Sequence, residues 1–265
     1  VKVSRRSAEA NLTTNSPMNC RLCKQPNPLR RSHIIPEFMH QDMYDPKHRF
    51  FGLSSNTARR EQIFQKGMRK PLLCDACEQQ FGRYEKYASG VFYDGQTYER
   101  RRDGNWVILS KLTYAPLKRF FMSLLWRMAV TSIEHLKGAE LGPHEEKLRQ
   151  LLLKEEPGDS LTYPCMVTAV MHEGKHVPDL IVQPGRARVD GLHVWSFVAA
   201  GFVFSFFVSG HKKPIAVRDA LLKPDGTMWI AVRDMKDIEF LYRYACEIGE
   251  AQRQRAAGAK SSFKQ

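Results

Sequence analysis

The sequence predicts an α+β chain: a small N-terminal zinc-knuckle module followed by a larger α+β domain with an antiparallel sheet and long helices. Three observations predict it. Two Cys-x-x-Cys pairs, Cys20/Cys23 and Cys74/Cys77, have the spacing of zinc knuckles. Apolar residues recur at three- and four-residue steps after residue 110, as helices require. Between 161 and 232, β-branched and aromatic runs are broken by Gly, Pro and Asp, as in sheets.

Composition narrows the function classes. The 265 residues are 43% hydrophobic, ample for a core, and carry a net charge of +13. Such a surface favours a polyanion, above all nucleic acid, through counterion release. The positive excess is densest in residues 1–110. Residues 1–17 are polar and aperiodic, so they read as a flexible basic arm without the apolar stretch of a secretory signal. The longest apolar run, Leu192 to Val208, contains Gly201 and is too short to span a membrane, so buried strands are expected there. Four of six cysteines sit in the knuckles, while Cys165 and Cys246 stand alone as small hydrophobes. This usage implies a reducing compartment and a cytoplasmic protein.

In chain order, residues 18–110 hold both knuckles, short strands and one helix. Leu117, Phe120, Phe121, Leu124, Leu125 and Met128 mark an amphipathic helix. A second helix begins at Gly142-Pro143 and stops by Pro157-Gly158. Strands are expected over Leu161–Met171, Pro178–Val182, Gly191–Val208 and Met228–Val232. A last helix spans about 234–254. The α+β domain of unknown role is therefore drawn at 111–255, with a flexible tail at 256–265.

The chemistry lies in the first third. Four thiolates satisfy tetrahedral zinc with no position left open, so the zinc is structural. The loop between Cys23 and Cys74 is long, and metal binding offsets the entropy of closing it. Between the pairs runs Leu29-Arg30-Arg31-Ser32-His33-Ile34-Ile35-Pro36. Pro36 stops a strand there and leaves His33 near its end. The ordinary pKa of an imidazole suits a general base, and equally a satisfied structural histidine. After Cys77 a helix pattern begins, with Glu78 and Glu85 seven residues apart on one face. Glu78 suits either an oxygen ligand for Mg²⁺ or Mn²⁺ or a partner for the helix dipole. Glu85 reads as a solvated charge.

These residues together resemble the zinc-stabilised HNH endonucleases, which have a ββα-metal fold. The match covers about residues 18–90, where Leu29 to Pro36 and Leu72-Leu73-Cys74-Asp75-Ala76-Cys77 follow the family's order. The resemblance implies an HNH-like module at 18–110. His33 would be the general base, with Cys20, Cys23, Cys74 and Cys77 as structural zinc ligands. Glu78 would be catalytic and hold the catalytic metal, Mg²⁺ or Mn²⁺. Two departures stand out: Ser32 occupies the place of an acidic or His ligand, and Glu78 replaces the usual His or Asn, though a carboxylate is a credible ligand. The family's mid-motif Asn also has no clear counterpart: Asn56 lies far upstream of Cys74, and Gln65 sits nearer the expected place. His40 and His48 are candidates for a missing ligand, or else surface or DNA-facing histidines. Arg30, Arg31, Arg59, Arg60, Arg69, Lys70 and Arg83 are candidate phosphate contacts, with Arg100-Arg101-Arg102 as a further cluster.

The expected function is a metal-dependent endonuclease hydrolysing DNA phosphodiester bonds, by family analogy in phage defence or mobile elements. The alternative is a zinc-finger nucleic-acid-binding module, or a partner subunit, without catalysis. The later domain would bind a target, a protein partner or a second copy of the chain. No membrane association is expected.

Overall fold

A computed structural model describes residues 19–94, 99–136, 139–189, 191–208 and 218–262. The basic arm expected at 1–17 lies outside them. The architecture is mixed α+β, with a four-cysteine cluster near the N-terminus.

Strand β1 (Leu29–His33) pairs antiparallel with a later strand, and β2 (Arg49–Gly52) forms a hairpin with β3 (Gln62–Gln65). The partner of β1 is β4 (Arg69–Cys74), which runs directly into α1 (Asp75–Ser89). Asp75 and Glu78 in the first turn of α1 complement its positive end. Leu29 faces Cys74 and His33 faces Arg69, with a register shift where Arg31 meets Pro71. Proline lacks the N–H that a ladder needs, which accounts for the irregularity there.

The remaining elements are β5 (Glu99–Asp103), β6 (Trp106–Ser110), α2 (Tyr114–Val130), α3 (Pro143–Leu153), β7 (Cys165–His172), β8 (Lys175–His176), β9 (Val182–Val189), β10 (Leu192–Ala199), β11 (Phe202–Phe207), β12 (Met228–Asp234) and α4 (Glu239–Ser262). The large sheet has the order β5-β6-β12-β7-β11-β10-β9, with β8 paired to β7. Its pairings are antiparallel except β12 with β7, which is parallel and departs from the all-antiparallel expectation.

The run Gly191–Val208 is two strands, turned at Ala200-Gly201, both with positive φ. Glycine is required at 201, because a Cβ would meet the Val177 carbonyl at 2.5 Å. Helix α4 starts later than expected, after a turn capped by Asp234, and continues to Ser262. The first part of the expected flexible tail is thus helical. Strands β5 and β6 lie within 18–110 by sequence but belong to the large sheet.

One hydrophobic core runs continuously from Cys20 to Ile230. Helix α2 is its axis. It is apolar nearly all round, as a helix covered on both sides must be. Trp126 meets Phe81 of α1 edge-on at 6.0 Å, and Phe121 meets Phe204 of β11 at 6.2 Å. The four-cysteine segment is therefore packed, through α2, onto the large sheet. No helix among the described residues is long and apolar enough to cross a membrane.

Candidate functional site

The two ends of β1 carry different chemistry. At the Leu29 end, the Sγ atoms of Cys20, Cys23, Cys74 and Cys77 all lie within 4.8 Å of one another. Cys23 and Cys74 Sγ are 3.8 Å apart. Four sulfurs at about 2.3 Å from a tetrahedral ion would stand about 3.8 Å from each other, so the donor set fits zinc. The surrounding backbone favours the thiolate of Cys20. Cys74 N–H donates to Cys20 Sγ at 3.3 Å. Burial opposes ionisation of Cys20, but backbone N–H groups of Cys74, Cys23 and Leu22 outweigh it and bring the thiol down to about 7. Cys23 and Cys77 are pushed up, first by burial and then by neighbouring sulfur, as expected of clustered thiols without a cation. Arg149 of α3 donates to the Leu22 carbonyl and ties the first knuckle to the later helices.

At the other end, alternation along β1 sends Ser32 and His33 to opposite faces. Ser32, fully buried, donates to Glu78 Oε2 at 2.5 Å and accepts from Leu73 N–H. His33 Nε2 lies 2.8 Å from Glu37 Oε2. The distance is that of an ion pair, but both atoms lack a properly aligned hydrogen bond. Tyr44 donates to Glu37 Oε1 at 2.9 Å, and His48 Nε2 stands 3.9 Å from the same oxygen, its ring stacked on Tyr44 at 3.8 Å. Burial lowers the pKa of His33 most; Glu37 and Glu85 oppose this and Arg69 adds to it. Gly67, at φ +67°, lies against the pair: a Cβ there would fall 2.8 Å from Glu37 Oε2 and 2.9 Å from His33 Cδ2.

The strand end is held from below by a residue far away in sequence. Arg127 of α2, 1% exposed, donates to the His33 carbonyl at 2.9 Å and to Glu85 Oε1 at 2.5 Å. Its guanidinium also lies over the Phe81 ring. Glu85 is thus a partner of a buried cation and not a solvated charge.

The predicted residues distribute as follows. The four cysteines come together. Glu78 and His33 do not share a contact: Glu78 meets Ser32, and His33 meets Glu37. His40 is fully buried, against the expectation of a surface histidine, and burial pushes its pKa to about 4. His48 is exposed. Gln65 is exposed on β3, and the Asn56 side chain accepts from Ala58 N–H. Among the candidate phosphate contacts, Arg30 is bonded to Asp75 and Arg83 to Glu155, while Arg59 lies 3.9 Å from Glu134. Arg31, Arg60, Arg69 and Lys70 have no carboxylate partner within ion-pair distance among the described residues. Arg100, Arg101 and Arg102 lie exposed on the edge strand β5.

Comparison with protein-family models, curated proteins and solved structures finds no match. The site therefore stands on its own geometry. Glu37 and Tyr44 escaped the sequence reading, although Glu37 follows His33 by four residues, because Pro36 obscured any helical step between them. Nothing local in sequence points to Arg127.

Proposed function

We propose that the chain is a metal-dependent endonuclease of HNH type, hydrolysing phosphodiester bonds of nucleic acid at the His33 end of β1. One observation carries this reading. The four-cysteine cluster sits where β1, β4 and the start of α1 meet, so that an ion there would hold the strand end bearing Ser32 and His33 beside α1, with Ser32 bonded to Glu78 and His33 beside Glu37. Water activated at His33 would form the new O–P bond. Its proton would leave to a base, the bond from phosphorus to the leaving oxygen would break, and that oxygen would take up a proton. A Mg²⁺- or Mn²⁺-class ion would take up the charge developing on the phosphate. The positive chain, and Arg31 and Lys70 on the paired strands β1 and β4, which lack a carboxylate partner among the described residues, suit a phosphate backbone.

The test is cleavage of plasmid DNA and of structured RNA by the zinc-loaded protein in Mg²⁺ or Mn²⁺, with His33→Ala beside it. Cleavage lost in His33→Ala, with zinc content and fold retained, supports the reading. Cleavage equal in both proteins, or absent from wild type, removes it.

A second reading, a nucleic-acid-binding module without catalysis, is favoured by one contact. The Ser32 hydroxyl occupies Glu78 Oε2, so the helix carboxylate is already bonded. Tight binding without cutting would select it.

A further inference from the structure

We propose a second cation site on His33 and Glu37, taking a divalent transition ion of the Mn²⁺ class. The proposal deepens the hydrolytic reading and rests on it for the site's purpose, though not for the binding itself.

The contact between the two side chains is the first ground. A hydrogen bond places its proton near the line of the two heavy atoms. His33 Nε2 and Glu37 Oε2 are 2.8 Å apart, yet neither has an aligned partner. Two donors held about 2.1 Å from one ion, at a right angle to each other, stand about 3.0 Å apart with the ion off the line between them. The observed pair has the separation and misalignment of two neighbouring ligands. The rival explanation is an imidazolium–carboxylate pair, which would place a proton close to the line between the two atoms.

Orphaned atoms are the second ground. Six buried side-chain nitrogen or oxygen atoms lack a partner among the described residues, and three of them are His33 Nε2, Glu37 Oε2 and His40 Nε2. Folded proteins leave few such atoms, and an ion is one of the causes when they gather. His40 Nδ1 lies 3.1 Å from the Pro36 carbonyl, which can only accept, so Nε2 of the neutral ring carries the lone pair. The two rings are 6.4 Å apart.

The outer bonds are the third ground. Ligating side chains are characteristically held by a second bond that fixes their orientation. Tyr44 holds the far oxygen of Glu37. Gly67 packs against the pair, where a Cβ would fall 2.8 Å from Glu37 Oε2 and displace it.

Among the described residues, only the four thiolates gather three or more such donors within 4.8 Å. The new site therefore supplies two protein ligands and leaves the rest to water and substrate oxygen, as a catalytic ion requires. One imidazole and one carboxylate favour Mn²⁺ and its neighbours over Mg²⁺ and Ca²⁺. His33 then acts through the ion, by acidifying bound water, in place of taking the water's proton itself.

The test is titration of Mn²⁺ into the zinc-loaded full chain, followed by electron paramagnetic resonance and calorimetry. One Mn²⁺ per chain is expected. Glu37→Gln should weaken it at least about tenfold and Tyr44→Phe by a smaller factor, with zinc content and circular dichroism unchanged. Glu78→Gln should leave it as it was. In the wild type, bound Mn²⁺ should broaden the His33 imidazole resonances, a result that needs no variant. Failure of wild type to bind Mn²⁺, undiminished binding by Glu37→Gln, or loss in Glu78→Gln would each overturn the site. Mn²⁺ held through Glu37 by a protein that cuts no nucleic acid would uphold the site and remove the hydrolytic reading.

Discussion

The two ends of β1 lie only about 13 Å apart along the strand, and they solve opposite problems. At the Leu29 end four soft donors close around one point, leaving no room for water. At the His33 end one nitrogen and one oxygen lie side by side, with further donors nearby but not gathered. A closed thiolate set converts binding energy into folded structure, whereas an open pair leaves positions for chemistry. The closed end thereby supports the open one.

The largest expected effect comes from removing the ion at the closed end. Metal binding to such knuckles carries on the order of 10 kcal/mol that is coupled to folding. A strong chelator, or Cys74→Ser, should unfold the segment from Cys20 to Ser89, seen as lost protection in hydrogen exchange. The Mn²⁺ site at His33 should vanish with it. If thermal unfolding is the same with and without chelator, the two ends are independent and the comparison fails.

Next in size is Arg127, which supports the open end from α2. Arg127→Met leaves Glu85 without its cation and the His33 carbonyl without a donor. Breaking a buried pair of this kind costs about 3 kcal/mol. The Glu85→Gln/Arg127→Met double variant should lose less than the two single losses combined, measured by denaturant unfolding. Strict additivity would show that the pair contributes nothing jointly.

Glu85, expected to be solvated, and Arg127, not anticipated at all, mark where sequence fell short, whereas other residues were readable. Cys20, Cys23, Cys74 and Cys77 were legible because zinc demands a fixed donor type at a fixed short spacing. Helix α2 was legible from its period, and Gly142-Pro143 marked the start of α3. The parallel pairing of β12 with β7 was not, because period-2 patterning says nothing of strand order or direction. Nor was the Arg127 bond to His33, which joins residues 94 apart and depends on how α2 packs on α1. His40 looked like a surface residue because its polarity outweighed its apolar neighbours Phe38 and Met39. The turn they share buries all three.

A pH effect of similar or slightly smaller size is expected from His40. Its folded-state pKa of about 4 lies below the ordinary 6.5, owing first to burial. Between those values the unfolded chain binds the proton and the folded chain does not. The contribution is therefore present above about pH 6.5 and is lost as pH falls through about 4, a total of about 3 kcal/mol. Denaturant unfolding at pH 7 and pH 4.5 should show this slope, and His40→Gln should flatten it. An unchanged slope in the variant would assign the acid sensitivity elsewhere.

The smallest effects belong to single surface cations, and they separate a phosphate contact from an internal pair. Arg83 already bonds Glu155, and Arg30 already bonds Asp75. Arg31 and Lys70 have no such partner and face each other's strands one register step apart, since Arg31 pairs with Pro71 and Ser32 with Lys70. If nucleic acid lies along these paired strands, Arg31→Ala and Lys70→Ala should each flatten the dependence of log affinity on log salt by about 0.9. Arg83→Ala should leave that slope nearly unchanged, because its charge is already spent on a carboxylate. Equal slopes in all three variants would place the phosphate path away from β1 and β4, and with it the argument that the open end of this strand meets a nucleic acid.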